Sequence, residues 1–376
     1  MAASKKPSHP RTGEALQIAR EIVSFGRNIL VTTSKGFTLQ HRLFVNDPWE
    51  LIAEAIARAV PVVKNRDIAQ SFRRQAQDYF RAATVSSELP VRPVLLYYAF
   101  LNLSKAYLIS KGSTTVTGKA SHGISFPRPR PRAIPGSPIN FEGRKPAVFQ
   151  ELLERLDGNT ALLSSPLRLG YLLPQILPGH RLWCYATGNS ERFLSVERFE
   201  IRHSPSAKEV WLSFYLNSND LARLGLTETT VLSRAGLGEF EYSHGFLPSI
   251  PDCYYYQQKK PLVYASEPGE ALVKIVQSAK NIFWETIKLD SPYRKSYIYC
   301  CPTREHKVRM PQMLSIYLLM FILASVTRYF PGYFEELLES KYGPFFQTFV
   351  SESPMQFLYL MASEIVGREV SKPAII

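Results

Sequence analysis

The chain has 376 residues and a net charge of +13, with 45% hydrophobic and 20% charged residues and many Tyr and Phe. This is a globular composition, able to bury a sizeable core in one large domain or two to three smaller ones. Cys184, Cys253 and the adjacent Cys300 and Cys301 include no C-x-x-C spacing, which argues against a disulfide scaffold or a zinc finger and fits a reducing cytoplasm.

In chain order, the polar and basic "MAASKKPSHPRTGE" has no apolar run behind it. Residues 1–15 are therefore expected to form a disordered basic tail, not a secretory signal. "FVNDPWELIAEAIARAV" predicts a helix, with Asp47 as cap, Pro48 in the first turn, and Leu51, Ile52, Ala55 and Ile56 at helical spacing. "DIAQSFRRQAQDYFRAAT" predicts a second amphipathic helix. "RPVLLYYAFLNLSKAYLIS" predicts a third, apolar nearly all round and so deeply packed. The pattern breaks from Lys111 to Pro146, a loop dense in Gly, Pro, Ser and Arg, before "AVFQELLERLDG" offers another helix.

Between about 165 and 300 the period switches to two. "RFLSVERFEI", "EVWLSFYL", "TTVLSRAGLGEFEYS" and "CYYYQQKKPLVYAS" are strand candidates rich in β-branched and aromatic residues. "NSNDLARLGL" predicts a short helix with Ser218 or Asn219 near its cap. Helices resume with "PGEALVKIVQSAKNIFWETI", "MLSIYLLMFILASVTRYF", "GPFFQTFVSES" and "PMQFLYLMASEIVG". The fold expected is α+β: a mainly helical core made by the N- and C-terminal parts, with a small antiparallel sheet inserted between them. The divisions expected are a helical part at 16–164 containing the basic loop 111–146, a sheet-rich part at 165–300, and a helical part at 301–376.

Met310 to Thr327 carries no charge over 18 residues, short of the roughly 20 that a membrane span requires. Pro311, Gln312, Ser315, Tyr317, Ser325 and Thr327 interrupt it, and the dense part is only "IYLLMFILA". A buried helix paired with the similar segment at Leu95–Ile109 is the expectation, with no membrane partner.

"PVLLYYAFLNLSKAYLIS" followed by "SHG", and "MPQMLSIYLLMFILASVTRYFPGYFEELL", resemble the signature of the YaaC-like family of bacterial proteins. The matching residues are Pro93, Leu95, Leu96, Tyr97, Tyr98, Lys105, Ala106, His122, Gly123, Ser325, Arg328 and Tyr329. The resemblance covers the two helical parts. It implies no reaction, because the family is functionally uncharacterised, and so no catalytic residue is carried over from it.

The charge is one-sided. Residues 1–146 hold 22 Lys/Arg against 9 Asp/Glu, while residues 147–376 hold 23 of each. An anionic partner, nucleic acid or an acidic protein, is expected there. "RPRPR" presents Arg128, Arg130 and Arg132 on a proline-stiffened ribbon that can clamp phosphates, with Phe126 and Phe141 as nearby stacking surfaces. Arg92 and Lys105 stand behind them; the bland alternative is a solvated loop.

"GSTTVTGKAS" is close to a phosphate loop but has five residues between its glycines, Ala120 at the magnesium position, and a helix before it. Asn102 and Lys105 share a helix face, and His122 follows one loop later. This set offers His122 as acid/base and Lys105 as oxyanion binder, against a structural network in which Lys105 pairs with a carboxylate and His122 bonds a backbone carbonyl. Arg328 is expected as a helix cap paired with Glu335 or Glu336.

Three readings follow, binding first: a nucleic-acid or anion binder, a metal-independent HEPN-type ribonuclease of a toxin or defence system, and a non-enzymatic structural subunit of a protein complex. The only spacing match to the HEPN arginine and histidine is Arg198 to His203, in a strand-like context. No metal-ligand or cofactor motif occurs, and none is expected.

Overall fold

The structure is a computed structural model. It describes residues 9–18, 20–23, 28–33, 36–127, 131–143, 146–158, 160–243, 250–287 and 294–373. The fold is α+β, and the chain divides into two compact units. One is built from residues 1–43 and 192–306, the other from 44–191 and 307–376.

The second unit is helical. Its first helix, Trp49–Ala59, has Pro48 at the cap position, and Asp47, one residue earlier, accepts from Trp49 N through Oδ1 at 3.0 Å. The next helix, Val63–Val85, packs on Arg92–Ser110, hereafter the Arg92 helix. The Arg92 helix is buried on most sides because two further helices lie against it: Gln312–Tyr329 (the Gln312 helix) and Gly343–Val366. Tyr97 meets Tyr317 and Phe321 edge-on at 6.2 and 5.4 Å, and Phe100 stacks on Phe357 at 3.9 Å. The Gln312 helix is 83% buried, as expected of the middle of a core.

Two glutamines fix where that helix starts. Gln175 Oε1 accepts from Met310 N, and Gln175 Nε2 donates to Tyr171 O and Val308 O. In return, Gln312 Oε1 accepts from Leu177 N and Gln312 Nε2 donates to Gln175 O. These buried amides satisfy one another's backbone groups where no regular ladder exists.

The expected break at Pro354 does not occur. "GPFFQTFVSES" and "PMQFLYLMASEIVG" form the single helix Gly343–Val366, in which Pro354 is buried and Ser353 Oγ donates to Phe349 O. Packing on both sides outweighs the one backbone bond that proline removes. The loop 111–146 also holds short strands, Ile124–Ser125 and Pro138–Phe141, which pair antiparallel.

The other unit carries an eight-stranded antiparallel sheet. Its strands run in the order Phe240–Ser243, Cys253–Gln258, Glu209–Asn217, Phe193–Ser204, Arg294–Tyr299, Trp284–Ile287; Glu14–Ala15 pairs with Phe193–Ser204, and Leu262–Val263 with Glu209–Asn217. Val210, Leu212, Phe214 and Leu216 point to one face, where Leu272, Ile275 and Ala279 of the Gly269–Ile282 helix belong to the same core. On the opposite face Trp211 lies under Arg11, at 5.9 Å, and beside Gly13. A Cβ on Gly13 would come within 2.4 Å of the Trp211 ring, so only glycine lets the N-terminal segment lie this close.

One strand expectation changes. "TTVLSRAGLGEFEYS" splits into the helix Thr230–Ala235, ended by Gly236 at φ +68°, and the strand Phe240–Ser243. The expected short helix is Ser218–Arg223, and its cap is Asn217, directly before Ser218 and Asn219: Asn217 Oδ1 accepts from Asn219 N and Asp220 N at 2.9 and 3.4 Å.

Candidate functional site

In the helical unit, the Arg92 helix turns two neighbouring faces to chemistry. Along one face Tyr98, Asn102 and Lys105 follow helical spacing and meet Tyr79, Gln75 and Phe72 of the antiparallel Val63–Val85 helix. Tyr98 stacks on Tyr79 at 5.6 Å, Asn102 Nδ2 donates to Gln75 Oε1 at 3.2 Å, and Lys105 Nζ lies 5.0 Å from the Phe72 ring centre. Along the other face Tyr97 bonds His122 Nδ1 through its hydroxyl, with the two rings 5.5 Å apart.

His122 is set by backbone ties on both sides. Val148 N donates to Ser121 O and Phe149 N to His122 O, from the first turn of Val148–Leu156. Gln150 Nε2 donates to Gly123 O at 2.6 Å and to Glu142 O at 2.9 Å. Gly123 has φ +78°, and a Cβ there would fall 1.7 Å from Gln150 Oε1. The Ser-His-Gly sequence therefore meets two requirements at once, a left-handed turn and room for the Gln150 amide.

Arg328, in the last turn of the Gln312 helix, joins both faces. Its Nη1 donates to Tyr98 OH at 2.9 Å and its Nε to Ala324 O at 3.2 Å. Its guanidinium lies 5.6 Å from the ring centres of Tyr97 and Tyr98 and 5.1 Å from that of Tyr329. The expected ion pair with Glu335 or Glu336 is not what holds it. Helix capping needs only an acceptor within reach, and the Ala324 carbonyl and Tyr98 hydroxyl are nearer in the fold than the next helix's glutamates.

The electrostatics are one-sided. Burial depresses the His122 imidazole below its ordinary value, and the charges of Arg328 and Lys105 depress it further. Burial likewise lowers the Lys105 ammonium and raises the Tyr97 phenol, which keeps its proton. Among the described residues, neither Lys105 nor Arg328 forms an ion pair with a carboxylate. The carboxylate partner considered for Lys105 is thus replaced by the Phe72 ring, and the carbonyl considered for His122 by the Tyr97 hydroxyl.

Of the residues singled out in sequence, Lys105 and His122 come close enough to feel each other's charge, whereas Asn102 faces Gln75. Arg92 is half-buried, and its Nε has no hydrogen-bond partner among the described residues. Arg128 and Arg130 lie outside the described residues, and Arg132 falls in the short 3-10 turn Pro131–Gly136. From the sequence, Tyr97 and Tyr98 are not singled out as site residues, and Arg328 is read as a helix cap. The available signal was a lone arginine ending an apolar helix, together with tyrosines inside another.

The glycine loop departs further from a phosphate cradle. Ser113 N caps the Arg92 helix on Leu108 O, and Thr115 Oγ1 donates to Glu151 Oε2 at 2.5 Å, so a carboxylate is bound to the loop, of the wrong sign for a phosphate neighbour. Arg198 and His203 lie on the strand Phe193–Ser204, paired with Glu200 at 3.0 Å and Glu14 at 3.3 Å. No group of three or more His, Cys, Asp or Glu able to hold a metal occurs among the described residues.

Fold and site together define an α+β protein whose helical unit seats Arg328 among Tyr97, Tyr98 and Tyr329 at the junction of its two most apolar helices. The family model for the YaaC-like Protein matches residues 34–365, and the chain belongs to that family. No curated protein matches it, and no solved structure does.

Proposed function

We propose that this YaaC-like protein is a cytoplasmic, non-membrane protein that binds nucleic acid or another anionic partner through its basic N-terminal part. Arg128, Arg130 and Arg132 supply the first phosphate contacts, with Lys105 and Arg92 behind them. The observation that carries the reading is that Lys105 and Arg328, both of which act on His122, have no carboxylate paired to them among the described residues. A cation with no carboxylate beside it is open to a counter-charge, and a phosphate chain brings one. The charge excess of residues 1–146 agrees in sign and place. Half-buried Phe72, Tyr79 and Tyr98 beside the cations match the alternation of stacking surface and positive charge that single strands use.

The test is fluorescence anisotropy of a labelled single-stranded RNA, and of the same sequence in DNA, over a salt series. Expected is salt-sensitive binding, with the slope of log affinity against log salt shallower by about two in the Arg128→Ala, Arg130→Ala, Arg132→Ala triple variant, for three lost contacts to a single strand. No binding at low salt, or binding indifferent to both salt and variant, overturns the reading.

A second reading, a metal-independent ribonuclease, draws on the same cluster: His122, depressed towards its neutral form between two cations, has the character of a general base. RNA cleavage lost in His122→Ala with folding retained would establish it. Neither binding nor cleavage, together with stable co-purification of another protein, would leave the structural subunit.

A further inference from the structure

We infer that the eight-stranded sheet is a receptor for an extended segment of a partner protein that carries arginine two residues before glycine, and that residues 9–13 fill its groove in cis as a tethered competitor. The site is separate from the nucleic-acid reading and does not depend on it. Strand register puts Arg202 opposite Trp211, and Gln257 opposite both Ser213 and Glu241, so Arg202, Trp211, Gln257 and Glu241 share one face across four strands. Residues 9–13 lie against that face before Glu14 and Ala15 pair with His203 and Arg202.

The contacts are those that read a peptide. Gln257, only 1% exposed, uses both ends of its amide: Oε1 accepts from Arg11 N at 3.0 Å, and Nε2 donates to His9 O at 3.2 Å and to Glu241 Oε1 at 3.0 Å. The residue spanned is Pro10, which has no N–H to leave stranded and favours an extended residue before it. The Arg11 guanidinium donates to the Gln258 and Lys259 carbonyls, reaches Glu241 Oε1 at 4.0 Å and lies over the Trp211 ring. Arg202 Nη2 donates to Gly13 O at 2.6 Å, where the Trp211 ring excludes a Cβ. Thr12 between them is exposed, so selection falls on the arginine and the glycine. Two features mark residues 9–13 as a ligand rather than a part of the core. The first strand begins only at Glu14, and Leu16 is the first residue to enter the hydrophobic core of this unit. What they make with the sheet is polar, and an incoming segment of the same pattern restores it bond for bond.

The experiment is fluorescence anisotropy of a labelled peptide, Ser-His-Pro-Arg-Thr-Gly-Glu, which copies residues 8–14, titrated with the full chain. One chain is wild type; the other carries Arg11→Ala and Gly13→Ala, so that its own segment no longer seats. Expected is binding to the double variant about tenfold or more tighter than to wild type, because a tethered competitor acts at about millimolar effective concentration. A peptide with alanine for its arginine or its glycine should lose about tenfold or more, as a truncated anchor does, and one with alanine for its threonine should bind as before. Glu241→Lys added to the double variant sets a like charge at the arginine pocket and should abolish binding, with thermal melts confirming the fold.

No binding to a folded double variant, or binding indifferent to the arginine, the glycine and Glu241, overturns the proposal. Hydrogen exchange on the wild type tests it without any variant. The Arg11 amide should exchange through a local opening, faster than the amides of the central strand Glu209–Asn217, and exchange only with global unfolding would make residues 9–13 an inseparable part of the fold. Sedimentation of the wild type over a concentration range decides the source of the segment. A monomer throughout supports a separate partner, whereas a dimer abolished by Arg11→Ala would assign the groove to a second copy of this chain and overturn that partner.

Discussion

Gly123 and His122 are adjacent but answer to different physics. At Gly123 the demand is steric: φ is +78° and Gln150 Oε1 occupies the space a side chain would need. Gly123→Ala should lower the unfolding free energy by about 1–3 kcal/mol in urea titrations. In a Gln150→Ala background the worst overlap disappears, leaving the left-handed backbone and the Ala147 Cβ at 2.8 Å, so the same substitution should cost less there. Equal costs in the two backgrounds would remove Gln150 from the account.

At His122 the demand is electrostatic. Burial first, then Arg328 and Lys105, set the folded imidazole below its ordinary value. The unfolded chain therefore binds more protons here below about pH 6.5, so this contribution to stability is complete above that pH and is lost as pH falls through it. His122→Gln should flatten the acid-side decline of stability in denaturant melts at stepped pH. A slope identical to wild type would mean the ring titrates normally in the fold. His122 and Lys105 were legible as a pair because helix spacing and a short loop bring them near. Arg328 was not legible, since its acceptor Tyr98 is 230 residues away and no local pattern encodes such a pairing.

At the scale of elements, periodicity located the helices well wherever one face or all faces were apolar. Arg92–Ser110 starts and stops where its sequence suggests, and the alternating "EVWLSFYL" is the central strand Glu209–Asn217. It failed where context decides. "TTVLSRAGL" is β-rich in composition yet turns as a helix, and Pro354 sits inside a helix whose neighbours hold it straight through. Short strands such as Ile124–Ser125 and Pro138–Phe141 leave no period to detect in two to four residues.

The Gln312 helix yields two tests. Leu318 is wholly buried, and Leu318→Ala should cost about 2–5 kcal/mol by opening a cavity; a cost below 1 kcal/mol would mean this face is not packed as described. Gln312→Leu keeps bulk but strands Leu177 N–H and Gln175 C=O, each worth about 1–3 kcal/mol when left buried and unpaired. A variant as stable as wild type by the same melts would show that other groups satisfy those atoms.

The whole chain is organised by three crossings: residues 44–191 and 307–376 complete one unit, and the residues before and between them complete the other. A chain ended after Glu191 would lack the Gln312 and Gly343–Val366 helices that cover the Arg92 helix. Such a fragment should be insoluble or bind the dye ANS, and a monomeric, cooperatively melting fragment would contradict this. The same separation acts on the ribosome. Tyr97 emerges about 220 residues ahead of Tyr317, the ring it packs against, an interval of tens of seconds at ordinary elongation rates. Throughout that time the most apolar early segment of the nascent chain waits uncovered, so newly made protein should depend on chaperone shielding far more than its finished form does.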